Sequence, residues 1–426
     1  MNTPVTFDQD RITPFKNACL WLILYFSQPL SMSKIKALFT NRYFILFLWF
    51  VPSVLAVVKG VYFGDGTTGN YNNYIIYKHN FLNLIHQHSL FGPEPQYYFD
   101  LNHYGPVFAL VIAPFALLPD HIGVILWVLF NCWILYRAVM MLPLKKEQCL
   151  LILLINVNSM IGSSGNVQVN PLIAALVILS YVFIKRKQDF WAALVIVLGT
   201  AIKLYGIVGL AFFFFSENKL KLILGLFIWS AVLFVLPMLI SSPAYVIKTY
   251  RDWYPDLLAK NAANVVSDRG NRSVMGMIAK IFHINHLSNL IVLAPALLLM
   301  GLPYLRTKYW KDTRYQLLLL ASVLIFTVIY STGSEPPTYI IAFIGAAIWF
   351  IALPRPVSGF EWFLLFFALL ITSFSNSDII PKYIRVNYIL PYALIALPCL
   401  VIWLKIIYEM LTGRFGKYPP ETSLPA

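Results

Sequence analysis

Long apolar runs, separated by short polar loops, recur from about Arg42 almost to the C-terminus, and this pattern restricts the chain to very few folds. No water pairs with the backbone inside a bilayer, so a spanning segment must satisfy its own N–H and C=O groups, as an α-helix does. The composition agrees, because 59% of the residues are hydrophobic and only 12% are charged. We therefore predict an all-α fold, a polytopic integral membrane helical bundle.

Twelve segments have the hydropathy of candidate spans, and a thirteenth apolar run, 106–118, is left over. The candidate spans are 43–61, 121–141, 148–162, 170–185, 190–203, 204–215, 219–240, 286–304, 315–331, 338–353, 359–374 and 388–408. Several are shorter than the ~20 residues of a full crossing, which indicates helices that end around a cavity inside the bilayer. The predicted membrane domain is 43–408, between an N-terminal segment 1–42, with an interfacial run at 19–26, and a tail 409–426.

Lysine and arginine positions predict the orientation, because cytoplasmic loops collect positive charge. With the N-terminus inside, the inner segments hold 21 of the 32 lysines and arginines, and 11 remain outside. This count requires that 106–118 does not cross, so we predict a partial or re-entrant helix there. Both termini are then cytoplasmic in a cell (inner) membrane, and the two longest loops, 62–105 and 241–285, face the periplasm or exterior. The net charge of +14 is thus a topological signal, and no nucleic-acid partner is expected.

The four cysteines indicate neither a disulfide framework nor a metal site. Cys19, Cys132, Cys149 and Cys399 lie in or beside apolar stretches, and no two of them have the spacing of a ligand pair. We expect buried free thiols.

Polar residues at the outer ends of spans are the first candidates for a site. The turn SSGNVQVN carries Asn166, Gln168 and Asn170, which either bind substrate or complete a local glycine turn. Lys203 interrupts TAIKLYGIVGL at the outward turn between two short spans. It is a point charge for a phosphate, unless it only snorkels to the interface. Glu335, in STGSEPPTY, either contacts an acceptor or is solvated.

The two outer loops supply the remaining candidates. In loop 241–285, Arg251, Trp253 and Arg272 combine an aromatic ring with arginines that can grip phosphate; solvation is the alternative for each arginine. In loop 62–105, the acids Asp65, Glu94 and Asp100 occur together with four histidines. The stretch YFDLNHYGPVFALVIAPFALLPD places Asp100, His103 and Tyr104 directly before the short apolar run. Such loops suit sugar binding, although aromatic residues also form the ordinary interfacial belt.

Taken in order, these motifs resemble the polyprenyl-phosphate-dependent glycosyltransferases, and most closely glycosyltransferase family 87, which holds mycobacterial mannosyltransferases and arabinofuranosyltransferases. The matching residues are Tyr104, Gly105 and Pro106; Leu118 and Pro119; Gly165, Gln168 and Asn170; and Lys203 with Tyr205. The resemblance covers roughly 62–276 with motifs, and the rest only by its span pattern. It implies the type-C glycosyltransferase fold with an outward cavity. It also implies inverting transfer of a mannose- or arabinose-like sugar from a polyprenyl-phosphate donor to a lipid or glycan acceptor, with no cofactor or metal.

One position departs from the family pattern. The family places its catalytic aspartate in Asp-x-x-x-Tyr, whereas the matching segment here is Asn73–Tyr77 (NYIIY). An acceptor hydroxyl needs a carboxylate base within hydrogen-bond reach, and asparagine cannot act as one. Either Asp100 or Asp65 is then the base, with Glu94 a weaker third, or the chain is inactive. We favour Asp100, because the re-entrant helix would hold it at the cavity mouth, although Asp65 follows the first span at a typical place for the base.

A polytopic transporter or lipid flippase is the main alternative, since it would also have about twelve spans. Transporters tend to contain paired repeats with interrupted helices at matching positions. This sequence shows no internal repeat, and its long outer loops favour chemistry at one face. A non-catalytic membrane protein is a further alternative because of Asn73. The residues name neither the sugar nor the acceptor.

Overall fold

The computed structural model describes residues 39–63, 71–267, 270–284, 287–354, 356–377 and 379–416. These residues form helices, turns and irregular segments, and no strand occurs among them. The chain divides into two compact units, Met1–Leu46 and Phe47–Ala426. The run 19–26 with Cys19, and the candidate base Asp65, lie outside the described residues.

The described chain is built from a succession of α-helices. In chain order they are α1 (Arg42–Phe63), α2 (Asn72–His86), α3 (Pro106–Ala116), α4 (Asp120–Met140), α5 (Lys146–Gly165), α6 (Asn170–Lys185), α7 (Asp189–Ile202), α8 (Lys219–Val235), α9 (Pro243–Val266), α10 (Val274–Ile281), α11 (Asn289–Gly301), α12 (Thr313–Ile329), α13 (Tyr339–Ala352), α14 (Gly359–Ala368) and α15 (Ala396–Thr412). A 3-10 helix, Leu204–Phe215, follows α7. Two π turns, Leu369–Ser373 and Arg385–Ile389, lie between α14 and α15.

Four helical segments are long and apolar enough to cross a membrane: Arg42–Phe63, Asp120–Met140, Lys146–Gly165 and Lys219–Leu239. The other apolar helices have 10–17 residues. A helix rises 1.5 Å per residue, so even 17 residues reach only about 26 Å of the ~30 Å hydrocarbon core. The prediction of an all-helical, apolar architecture is confirmed for the described residues. The count of twelve spans and the orientation stay predictions.

The core of the second unit lies around α6, α12 and α13. All residues of α13 are buried, and so are all those of α12 except Phe326. A helix that is apolar on every side lies either in a protein core or in a membrane, and the burial of α12 and α13 places both of them in the core. In contrast, only 22% of the most apolar window of Lys219–Leu239 is buried, as expected of a helix that faces lipid. Cys132, Cys149 and Cys399 are free and buried, as predicted.

Lys203 lies at the tip of a helical hairpin. Its backbone is extended (φ −148°, ψ 130°) and separates α7 from the 3-10 helix Leu204–Phe215. Gly206 packs against Gly199, and Gly209 packs against Ile196, so the two arms run antiparallel. A 3-10 helix rises about 2.0 Å per residue, so its 12 residues reach about 24 Å, close to the about 21 Å of the 14-residue α7. The structure therefore contains the break that the sequence predicts at Lys203.

Gly206→Ala is expected to destabilise this hairpin. A Cβ atom at position 206 would lie 2.1 Å from the carbonyl carbon of Gly199 and 2.2 Å from the amide nitrogen of Thr200, and backbone atoms cannot rotate away. We expect a loss of roughly 1–3 kcal/mol, seen as a lower thermal midpoint of the purified protein. Gly301→Ala is the matched control, since nothing lies within 4 Å of its added Cβ. Equal midpoints for the two variants would contradict the close packing of the arms.

The short helix predicted at 106–118 is present as α3, with 11 residues and Pro106 in its first turn. At 1.5 Å per residue it is about 16 Å long, about half of a bilayer core. The Tyr74 hydroxyl of α2 donates to the carbonyl oxygen of Phe115 (2.9 Å), so α2 packs along α3. The predicted loop 62–105 therefore contains a helix, and the predicted loop 241–285 contains α9 and α10. Hydropathy missed α2 and α9 because they are too polar to resemble spans, and α10 because it has only 8 residues.

Candidate functional site

A cavity of about 260 Å³ lies where α2, the 98–104 segment, the tip of the Lys203 hairpin, α9 and the 331–338 turn meet. We call it the first cavity. Seven of the candidate site residues line it: Asp100, His103, Tyr104, Gln168, Lys203, Trp253 and Glu335. Asn73, Tyr77 and Tyr205, from the motifs compared with the family, line it too. These residues are distant in the chain, and the packing of the helices brings them together.

Lys203 is held in the wall of the first cavity without a carboxylate. Its Nζ donates to Oδ1 of Asn170 (3.0 Å) and lies 4.4 Å from the centroid of the Tyr205 ring. No ion pair to Lys203 occurs among the described residues. An amide oxygen and a ring face position the ammonium without neutralising it. The charge therefore remains available to an anion in the cavity.

Asn170 does not line the cavity; it supports two residues that do. It is fully buried at the start of α6. Besides accepting from Lys203, it donates through Nδ2 to Oε1 of Gln168 (3.0 Å). A fully buried amide with both ends paired is rigid, because leaving either end unpaired would be costly. Asn170 thus fixes the positions of Lys203 and Gln168 relative to each other.

Asp100 lines the first cavity from an unusual backbone conformation. Its φ is +80°, a region in which residues other than glycine are uncommon and which often occurs at functional sites. Its Oδ1 accepts the N–H of Leu101 (2.8 Å) and lies 3.7 Å from Nζ of Lys260. Its side chain is 62% exposed. The carboxylate is therefore accessible from the first cavity.

The 98–104 segment is attached to α9 through His103. Nδ1 of His103 lies 2.8 Å from Oδ2 of Asp256, and Nε1 of Trp253 donates to the His103 carbonyl oxygen (2.9 Å). Gly105 fits beneath the Trp253 ring, since a Cβ there would lie 2.8 Å from the ring and 3.0 Å from the carbonyl oxygen of Ala201. Nε2 of His103 is buried and has no partner among the described residues. The Tyr-Gly-Pro motif therefore docks a loop and α3 against α9.

Tyr77 and Tyr104 lie side by side in the wall of the first cavity. Their hydroxyl oxygens are 3.4 Å apart, and their rings make an edge-to-face contact. Burial raises the pKa of both phenols, so both stay protonated and can donate.

One face of α9 contributes residues that the sequence analysis missed. Leu257, Lys260, Asn261 and Asn264, which were missed, follow helical spacing with the predicted Trp253, and all five line the first cavity. The same spacing is visible in the sequence and could have identified them once a helix was assumed there. Oδ1 of Asn261 accepts from the Thr332 hydroxyl (2.7 Å), which joins α9 to the 331–338 turn.

Two arginines and two other candidates lie away from the first cavity. Arg251 is exposed, because residues two apart on a helix face different directions and Trp253 faces inward. Arg272 is buried, and its guanidinium donates to the carbonyl oxygen of Leu390. Its backbone N–H donates to the carbonyl oxygen of Ser334 (2.8 Å). Asn166 lines a different cavity. Glu94 lies 3.0 Å from His79 and 2.8 Å from Asn83, within the loop.

Asn73, which the sequence resemblance compares with an aspartate of the family, lines the first cavity. Its Nδ2 donates to the backbone oxygen of Asn166 (2.8 Å). An aspartate could not make this contact, because a carboxylate has no N–H donor. Asn73 therefore has a defined structural partner here, which ties α2 to the end of α5.

An apolar groove of about 370 Å³ adjoins the first cavity. It is formed by α7, the 3-10 helix and α8, and its lining includes Ile207, Leu226 and Leu233. Leu204 and Trp253 line both the groove and the first cavity. A ligand with a charged head and a long apolar tail could therefore occupy both spaces at once.

Comparison with known proteins agrees with the resemblance found in the sequence. The family model of glycosyltransferase family 87 matches residues 102–332, more than half of the chain. The match contains α3 to α12, with Lys203 and the lining face of α9, whereas Asn73, Asp100 and Glu335 lie outside it. No curated protein matches the chain.

Proposed function

The chain belongs to glycosyltransferase family 87, and from that membership we propose that it transfers a sugar from a polyprenyl-phosphate donor to an acceptor hydroxyl, at the outer face of a cell membrane. One observation carries the proposal: a cavity lined by a lysine without an ion pair shares Leu204 and Trp253 with the lining of an apolar groove. The partners are then a lipid-linked sugar donor and a lipid or glycan acceptor. The mannose- or arabinose-like identity of the sugar rests on the family resemblance alone.

The apolar groove supports a lipid-linked donor. The apolar lining of the groove can pack against an isoprenoid tail, whereas a soluble nucleotide sugar has no apolar tail to place there. The exposed apolar residues of the 3-10 helix and α8 give such a tail direct access from the lipid. Leu204 and Trp253 then mark the point where the tail ends and the phosphate begins.

Lys203 supports a phosphate leaving group in the first cavity. When the anomeric C–O bond breaks, negative charge develops on the phosphate oxygen, and a positioned ammonium stabilises it. The hydrogen bond from Lys203 to Asn170 holds the ammonium in place before the reaction. Lys260, 33% exposed in the same cavity, provides a second positive charge.

Asp100 is the proposed general base. The acceptor oxygen attacks the anomeric carbon, the bond from that carbon to the phosphate oxygen breaks, and the acceptor proton passes to the Asp100 carboxylate. The Lys203 ammonium stabilises the negative charge that develops on the departing polyprenyl phosphate. A single displacement inverts the configuration at the anomeric carbon.

The direct test is a transfer assay. Purified protein is supplied with synthetic polyprenyl-phosphate mannose and polyprenyl-phosphate arabinose together with candidate acceptors, and labelled product is measured. We expect labelled acceptor and released polyprenyl phosphate in equal amounts. Net movement of a solute across sealed vesicles without any sugar transfer would overturn the proposal in favour of a transporter.

Ile207→Trp is expected to raise the donor KM about tenfold. The larger side chain would occupy the groove and exclude the part of the tail that packs there, and a tenfold change corresponds to a loss of about 1.4 kcal/mol of packing energy. The kcat should change little, because the phosphate and the base are untouched. Leu224→Trp is the control: Ile207 and Leu224 are similarly exposed (52% and 51%), but only Ile207 lines the groove. Equal donor KM values for the two variants would rule out this groove as the tail site.

A further inference from the structure

A second, larger cavity of about 640 Å³ lies beside the first and has a different chemical character. Its polar lining consists of amides and hydroxyls, from Asn158, Ser159, Asn166, Thr372, Ser373 and Ser377. Glu335 is the one ionisable side chain among its described lining residues, and no cation lines it. Glu335 also lines the first cavity, so a single carboxylate faces both spaces.

The second cavity is formed by specific contacts between α5 and the π turn Leu369–Ser373. Nδ2 of Asn158 donates to the Ser373 carbonyl oxygen (2.6 Å), and the hydroxyls of Ser159 and Ser373 are 2.9 Å apart. Thr372 is fixed by its hydrogen bond to the Ile395 carbonyl oxygen (2.9 Å). A π turn inserts an extra residue into a helix and is frequent at functional sites. Here it places two hydroxyl residues, 372 and 373, in the cavity wall.

The two cavities differ in the kind of ligand that their lining residues can bind. A phosphate carries negative charge and is bound most strongly by cations, and Lys203 and Lys260 line only the first cavity. Amides and hydroxyls both donate and accept, which is what the hydroxyl groups of a neutral sugar require. Two proline residues, Pro336 and Pro337, follow Glu335 and restrict the backbone of the turn that carries it.

We propose that the second cavity binds a neutral carbohydrate, the acceptor, and that the Glu335 carboxylate accepts a hydrogen bond from the sugar hydroxyl that enters the first cavity. The proposal rests on the glycosyltransferase function proposed above. It assigns donor and acceptor to separate cavities that meet at Glu335. Glu335 orients the acceptor hydroxyl, and the Asp100 carboxylate takes the proton.

Gly162→Leu tests the proposal by filling the cavity. Gly162 lines the second cavity from within α5, and nothing lies within 4 Å of a Cβ placed there. A leucine side chain can therefore enter the cavity without a backbone clash, and it is a better helix former than glycine. Lys203→Gln is the comparison variant, because it alters only the first cavity.

The probes are octyl mannoside, octyl glucoside and octyl galactoside, with the free disaccharides mannobiose and maltose as a separate set. Binding is measured by saturation-transfer NMR on protein in nanodiscs free of sugar-headed detergent. We expect the wild type and Lys203→Gln to bind at least one probe, and Gly162→Leu to bind it at least tenfold more weakly. Binding of octyl glycosides alone would identify a glycolipid acceptor, and binding of disaccharides would identify a glycan.

Two results would overturn the proposal: no binding of any probe by the wild type, or equal binding by the wild type and Gly162→Leu. The binding measurement contains no donor and does not depend on sugar transfer. Failure of the transfer assay would therefore refute the proposed function without deciding whether the second cavity binds a carbohydrate. If Gly162→Leu does not fold, Glu335→Gln replaces it. That variant should raise the acceptor KM at least tenfold with the donor KM unchanged, and an unchanged acceptor KM would refute the role of Glu335.

Discussion

Asp100→Asn is expected to lower kcat for sugar transfer by roughly 10²–10⁴-fold, because it removes the carboxylate that accepts the proton of the acceptor hydroxyl. Asparagine is nearly isosteric and tolerates the left-handed backbone that Asp100 adopts at φ +80°. It also keeps a side-chain oxygen for the Leu101 N–H. The thermal midpoint should therefore stay close to that of the wild type. The loss of activity would arise in the chemical step, so donor and acceptor KM values should change little.

Asp65→Asn is the paired measurement, since Asp65 is the other candidate base. If Asp65→Asn abolishes transfer and Asp100→Asn does not, the base is Asp65. Full transfer by both variants would show that neither residue is the base. A kcat/KM profile against pH adds a further readout: loss of a carboxylate base should abolish the acidic limb of the wild-type profile.

Lys203→Gln is expected to lower kcat by roughly 10²–10³-fold, the usual effect of losing one positioned donor to a developing negative charge. Glutamine can still donate to Oδ1 of Asn170, so the hydrogen bond that supports the hairpin tip can be kept while the charge is lost. The effect should appear mainly in kcat, because the charge on the phosphate oxygen grows as the anomeric bond breaks.

Lys248→Gln is the matched control for loss of a lysine charge. Lys248 lies on α9, its side chain is 72% exposed, and its ion pair is with Asp252 outside the first cavity. Exposed ion pairs of this kind contribute little to stability. The kcat of Lys248→Gln should therefore equal that of the wild type. Equal kcat values for Lys203→Gln and Lys248→Gln would contradict the phosphate role of Lys203.

The comparison of Trp253 with Arg251 shows why the site was only partly predictable. Both were singled out from the same short stretch, on the basis of residue type. Which of them reaches the cavity depends on the rotation of α9, which hydropathy did not reveal because α9 is too polar to resemble a span. The same uncertainty hid Lys260, Asn261 and Asn264, although their spacing was in the sequence.

Asn170 and Arg272 illustrate a different limit: the sequence does not show which group a polar side chain will contact in the fold. Residue type marks an amide or a guanidinium as able to bind a ligand, but the side chain binds whichever group lies nearest. Asn170 supports Lys203, and Arg272 binds the Leu390 carbonyl oxygen more than a hundred residues further along the chain. No local pattern contains that information.

The sequence by itself determined the features that depend on local pattern: apolar helices, the short helix beginning at Pro106, the break at Lys203 and the family. Hydropathy, proline and a charge in an apolar run act on their own segment, so they can be interpreted without knowing the rest of the fold. Only the tertiary structure decided which polar groups share a cavity, and that Glu335 faces two cavities. The physical reason is that such convergence results from the packing of helices far apart in the chain, and that packing depends on all of their surfaces at once.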